Sequence, residues 1–231
     1  MSADLRARVL AAAAAEAAPT RVAVQRRNRL LGALGAASGA AAFVTFAMLA
    51  SEDRWFAVGG DVAPGQHVER SVWLVATTAS GALAIAAAAS WLALARGRSM
   101  LGRPREWLVY ALVSIPISLF AWKVGSSLAF GDAMVAWPQR PGLRCLSLSL
   151  VVAVGPLLSF LAIRRSAPAG PALNGAVAGL AAGACAWFLV DLWCPVAYLP
   201  HLAIGHLLPL LLLAGGGAVL GSRLLSPARR R

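Results

Sequence analysis

Five side chains in this sequence are of types that carry reactive chemistry. Four lie in "VDLWCPVAYLPHLAIGH", from Val190 to His206: Asp191, Cys194, His201 and His206. The fifth is Cys145, in "RCL". Thiols and imidazoles suit thiol–disulfide exchange or capture of a thiophilic metal. The spacing from Cys194 onward, C-x6-H-x4-H, matches no common zinc pattern, so no metal site is expected. His201 reads as interfacial with Asp191 as its partner, and His206 as a hydrogen-bonded structural histidine. The remaining cysteine, Cys185, lies within an apolar run and reads as packing. Pairing of Cys145 with either Cys194 or Cys185 stays open at this point, as does the plain alternative that each is a small buried hydrophobe.

What must position these residues is a membrane bundle. Hydrophobic residues make up 59% of the 231-residue chain and charged residues 13%, with mean hydropathy +0.72. Soluble domains run near 45–50% and about 25%. Six continuous apolar runs predict transmembrane helices at about 30–50, 72–94, 107–122, 145–163, 171–190 and 199–220. Continuous rather than alternating apolar runs favour helices over barrel strands. The expected fold is all-α: a polytopic six-helix transmembrane domain over 30–220, between an N-terminal arm (1–29) and a basic tail (221–231).

Net charge is +12. The arginines fall in clusters between apolar runs, which reads as loop charge and not as a nucleic-acid surface, so no direct nucleic-acid partner is expected. With both termini inside, sixteen of the 21 basic residues are cytoplasmic. Only Arg54, Arg70, Lys123, Arg140 and Arg144 lie outside. This bias predicts an N-in, C-in inner-membrane protein whose Cys145 and Cys194 lie near the outer surface. Six arginines precede the first apolar run, so no cleavable signal peptide is expected. Trp73, Trp91, Trp107, Trp122 and Trp193 sit near predicted span ends, where indole prefers the interface.

Gly175, Gly179 and Gly183 line one face of the fifth run, and Gly35 and Gly39 one face of the first. Such faces let backbones approach closely, within the bundle or in a homodimer, with the bundle preferred. Pro116, Pro156 and Pro209 should kink their spans. No acid or base occupies the middle of a span, which counts against an ion-driven transporter. A small permease subunit is the competing class, but few intramembrane Ser and Thr residues supply a polar lumen. A thiol oxidoreductase would need a CxxC pair, and none occurs. There is also no Walker loop, HExxH or GxSxG, and an enzyme is not expected.

The arm, "LRARVLAAAAAEAAPTR", predicts a short helix from about Ala3 to Ala18, capped by Ser2 and ended by Pro19. With "RCL", "RRSAPAGPALNGAVAGLAAG", "CP" and "GHLLPLLLLAGGGAVLGSRLL", the chain resembles the NrsF family, negative regulators of sigma F. The resemblance implies a six-span inner-membrane anti-sigma factor, binding an extracytoplasmic-function sigma factor at the cytoplasmic face and releasing it under stress. It also implies that Cys145 and Cys194 are the functional cysteine pair, a redox switch through which oxidation or metal stress is sensed. On the same basis the arm residues Leu5, Arg6, Arg8, Val9, Leu10 and Arg21 would contact the sigma factor. The chain departs from the family in its extra Cys185 and in Trp193, where relatives place a histidine before the cysteine. That departure counts against metal-assisted sensing.

Overall fold

The computed structural model describes residues 25–26, 28–37, 39–40, 44, 72–94, 105–129, 142–164, 170–192, 194 and 198–226. Five of the helices in these stretches are long and apolar enough to cross a membrane. They are α1 (Val72–Leu94), α2 (Arg105–Leu128), α3 (Leu143–Arg164), α4 (Pro171–Asp191) and α5 (Leu199–Leu224). Of the first predicted run, the described residues are helical over 30–37 and at 39, 40 and 44, and its other residues lie outside the description. The arm residues Leu5 to Arg21 and residues 227–231 of the tail also lie outside it.

The third span was expected to be short, and it is not. Helix α2 runs for 24 residues and continues past Trp122 through Lys123. The charge does not end the helix because Asp191 on α4 neutralises it. Pro156 lies within α3 and Pro116 within α2. Pro209 has a different consequence. It follows a π-helical turn, Ala203–Leu207, in which the N–H of Leu208 donates to the carbonyl of Ala203, five residues back. Proline lacks an N–H and its ring crowds the carbonyl four residues earlier, here that of Gly205, so the regular ladder cannot run through unbroken.

Helix α4 is the axis of the bundle. Within its most apolar window 78% of residues are buried, against 33–44% for the other four helices. It touches α1, α2, α3 and α5. Glycine and alanine make this possible, because a helix surrounded by neighbours has room only for small side chains. Toward α5 the backbones meet. A methyl group at Gly175 would strike the carbonyl of Gly217, and one at Gly179 the carbonyl of Leu213. At Gly183 it would lie 2.6 Å from the side chain of Leu210. Trp187, Leu180 and Val177 pack in one cluster with Leu108 and Leu119 of α2, alanines of α1 and Leu210 of α5. The first run docks elsewhere, on α3: a methyl at Gly155 would come 2.9 Å from the carbonyl oxygen of Gly35.

The seam between α4 and α5 can be tested with a matched pair of alanines. Gly179→Ala forces a methyl into backbone and should destabilise the bundle by about 1–3 kcal/mol. Gly216→Ala points into open space and should be neutral or slightly stabilising. Thermal melts in one detergent read the difference, and equal effects would mean the seam is not close-packed.

Candidate functional site

At the end of the bundle where α4 stops and α5 starts, three pieces of chain converge. Cys145 lies in the first turn of α3. That turn begins at Gly142, whose φ of +85° is a left-handed conformation open to glycine, and the N–H of Leu146 donates to the Gly142 carbonyl at 2.9 Å. The π turn of α5 rests directly on it. A methyl at Gly142 would sit 2.8 Å from the nitrogen of Gly205, and one at Gly205 would sit 3.0 Å from Cβ of Cys145. Two residues without side chains thus bring Cys145 against the start of α5.

Cys194 follows α4, and its N–H continues the helical pattern by donating to the Val190 carbonyl at 2.8 Å. It is buried with Val190 against Cys145, Leu148 and Tyr198. His201 lies in the first turn of α5 and His206 in the π turn, and both are buried. The sulfur of Cys194 is 3.1 Å from Nε2 of His201, and that of Cys145 is 3.5 Å from the same nitrogen. The two imidazoles are tilted at 48° with centroids 5.7 Å apart, and Trp187 of α4 leans on His206 at 5.1 Å. One ligand atom from each of Cys145, Cys194, His201 and His206 lies within 4.8 Å of all the others.

The thiol of Cys194 is held well below its ordinary pKa. The hydrogen bond from Cys145 contributes most, burial works against it, and His201 and His206 add further lowering. The three cysteines are free thiols. Cys185 lies apart from the cluster, with its sulfur 3.6 Å from the hydroxyl of Ser90 on α1.

The sequence reading missed two features. Asp191 does not partner His201: it forms an ion pair with Lys123 across α4 and α2, Nζ to Oδ1 2.5 Å, with side chains 1% and 4% exposed. Neither carboxylate oxygen has a partner in hydrogen-bond geometry among the described residues, nor does the Ser127 hydroxyl four residues along α2. The signal available was that Lys123 and Asp191 each sit at the outer limit of a predicted span. His206 also differs from the expected hydrogen-bonded histidine: it lies close enough to lower the Cys194 pKa, yet neither ring nitrogen has a partner in hydrogen-bond geometry among the described residues. Its meeting with Cys145 was invisible to a spacing rule, since 61 positions separate them in the chain.

Residues 10–226 match the family described as NrsF, negative regulator of sigma F. The chain belongs to the NrsF family. This NrsF member is 32% identical over 140 residues to the probable anti-sigma-F factor NrsF of Azospira oryzae, a match covering 59% of this chain. It spans 58% of that relative's length. No solved structure matches it. The NrsF family is regulatory.

The Lys123–Asp191 pair generates a double-mutant test. Lys123→Met alone or Asp191→Leu alone leaves one buried charge unmatched and should destabilise this NrsF chain by about 3–5 kcal/mol. The double variant should recover most of that loss. Thermal melts of the three variants check it, and additive losses would show that the charges do not interact.

Proposed function

We propose that this chain is an inner-membrane anti-sigma factor that binds an extracytoplasmic-function sigma factor at its cytoplasmic face and releases it when thiol chemistry occurs at Cys145 and Cys194. The observation that carries the reading is the family match over residues 10–226. In this reading the lipid bilayer surrounds six spans, residues 30–220, with both termini inside. The arm, residues 1–29, contacts the sigma factor through Leu5, Arg6, Arg8, Val9, Leu10 and Arg21, and residues 221–231 form a basic tail.

The polarity of the bundle supports this orientation. Arg105 starts α2, Arg164 ends α3 and Arg223 lies in the last turn of α5, all at one end. The guanidinium of Arg164 donates to the carbonyl of Ala93, tying α3 to the end of α1. The cysteine–histidine cluster lies at the other end. Positive residues favour the cytoplasmic side, so the cluster faces the oxidising compartment, where thiol oxidation persists. Two cysteines within one buried cluster, one with a lowered pKa, suit a thiol-based trigger.

Two measurements test this. Affinity purification of the full chain from its own cells should bring down a sigma factor, and recovery should fall when residues 1–29 are deleted. In cells carrying a sigma-dependent reporter, Cys145→Ser or Cys194→Ser should change stress-induced output severalfold, whereas Cys185→Ser should leave it unaltered. Unchanged induction in both of the first two variants would remove the cysteines from the mechanism.

A further inference from the structure

We propose that Cys145, Cys194, His201 and His206 together bind one divalent, thiophilic d10 cation, of which zinc is the type. The proposal deepens the reading of this cluster as the sensing site, but its test needs no sigma factor.

The first argument is geometric. A tetrahedral site with bonds of about 2.0–2.3 Å has ligand–ligand edges of roughly 3.3–3.8 Å. The four ligand atoms lie within 4.8 Å of one another, and the two sulfur–nitrogen edges to His201 are 3.1 and 3.5 Å. Shifts of about an ångström in side chains close the tetrahedron. Two sulfurs and two imidazoles in that geometry select zinc-like ions.

The second is the state of His206. It is 2% exposed, and neither ring nitrogen meets a partner among the described residues. A buried imidazole facing two thiols and a second imidazole lacks only a cation between them. His201, Cys145 and Cys194 make sulfur–nitrogen contacts of hydrogen-bond geometry, whereas His206 reaches the Cys194 thiol without one.

The third is the π turn. In a regular α-helix, residues five apart point about 140° away from each other. His201 and His206 would then face opposite sides of α5. The wider turn over Ala203–Leu207 brings their rings to 5.7 Å. Such turns are rare and recur at functional sites. This one places the second imidazole on the sulfurs.

Charge fixes the valence. Cys145 and Cys194 each give up one proton to solvent on binding, and no electron is transferred. Two thiolates, two neutral imidazoles and a divalent ion sum to zero. With both cysteines ionised, a monovalent ion would leave a net negative charge in a buried site. The adjacent Lys123–Asp191 pair is already self-neutralised and cannot offset it.

The test uses the full chain in detergent, kept reduced, and equilibrated separately with Zn2+, Cd2+ or Cu+. Bound metal is counted after desalting, and cadmium–thiolate absorption reports sulfur ligation. One Zn2+ or Cd2+ per chain is expected. Affinity should fall by at least about 100-fold in Cys194→Ser and His206→Gln, since disturbing even outer-shell partners costs 10–100-fold. Cys185→Ser should bind as the unaltered chain does. Zn2+ should raise the Tm of the unaltered chain and not of His206→Gln, whose Tm without metal shows that it is folded. No retained metal, retention of Cu+ alone, or full zinc affinity in His206→Gln each overturns the proposal. Should zinc fail to bind while the cysteine variants still disturb the sigma-dependent reporter, the anti-sigma reading stands and the metal site falls.

Discussion

Backbone-to-backbone contact between α4 and α5 is the constraint from which the remaining structure follows. In lipid there is no hydrophobic drive to bring two helices together, so the gain must come from close packing. Gly175 and Gly179 on α4 meet Gly217, Gly221 and the Leu213 carbonyl on α5 with no side chain between them. Because α4 also packs on α1, α2 and α3, its position is fixed from every side. Its C-terminal end is therefore held by the packing of the whole bundle. Asp191 and then Cys194 are carried at that end, and the Cys194 N–H remains bonded to the Val190 carbonyl.

Polar groups at this end are tolerated because they are matched to one another. Lys123 and Asp191 would each be costly alone in an apolar surround, and together they let α2 extend several residues farther than its apolar run. The same rule holds in the cluster, where the two thiols and His201 lie within hydrogen-bonding reach. His206 is the exception, since neither of its ring nitrogens has a partner in hydrogen-bond geometry among the described residues.

The broad architecture was legible in the sequence because membrane helices are long, continuous and apolar. Runs at 72–94, 145–163, 171–190 and 199–220 agree with α1, α3, α4 and α5 within a few residues. The helical class and the family could be read directly. The end of helix α2 is not legible, because the apolar run stops at Trp122 and the partner that neutralises Lys123 lies 68 positions away. The cysteine–histidine cluster was legible only as a set of candidates. Its ligands come from the start of α3, the end of α4 and the start of α5, and a spacing pattern describes ligands on one continuous segment. The π turn has no reliable signature either. The nearby Gly205 and Pro209 explain it once it is seen, but they are equally at home in an ordinary kink.

The π turn joins the two halves of the argument. It is in effect one residue inserted into a helix, so returning it to α geometry would turn everything beyond it by about 100° and advance it by about 1.5 Å. Beyond it on α5 lie Leu213, Gly217 and Gly221, the surface that fits against Gly175 and Gly179. A rotation of that size would carry the glycines off the seam and drive side chains into the backbone of α4. The register of the seam and the presentation of His206 to the thiols are therefore set by one local feature. Whatever holds His206 among Cys145, Cys194 and His201 also holds α5 in register along its length of 26 residues, or about 39 Å. That span leads from the cluster to the arginine-bearing end of the bundle, where Arg223 lies. In the function proposed above, chemistry at the cluster would act on a discrete packing arrangement and not on a continuously deformable one, which is the physical requirement for a switch that reads at a distance.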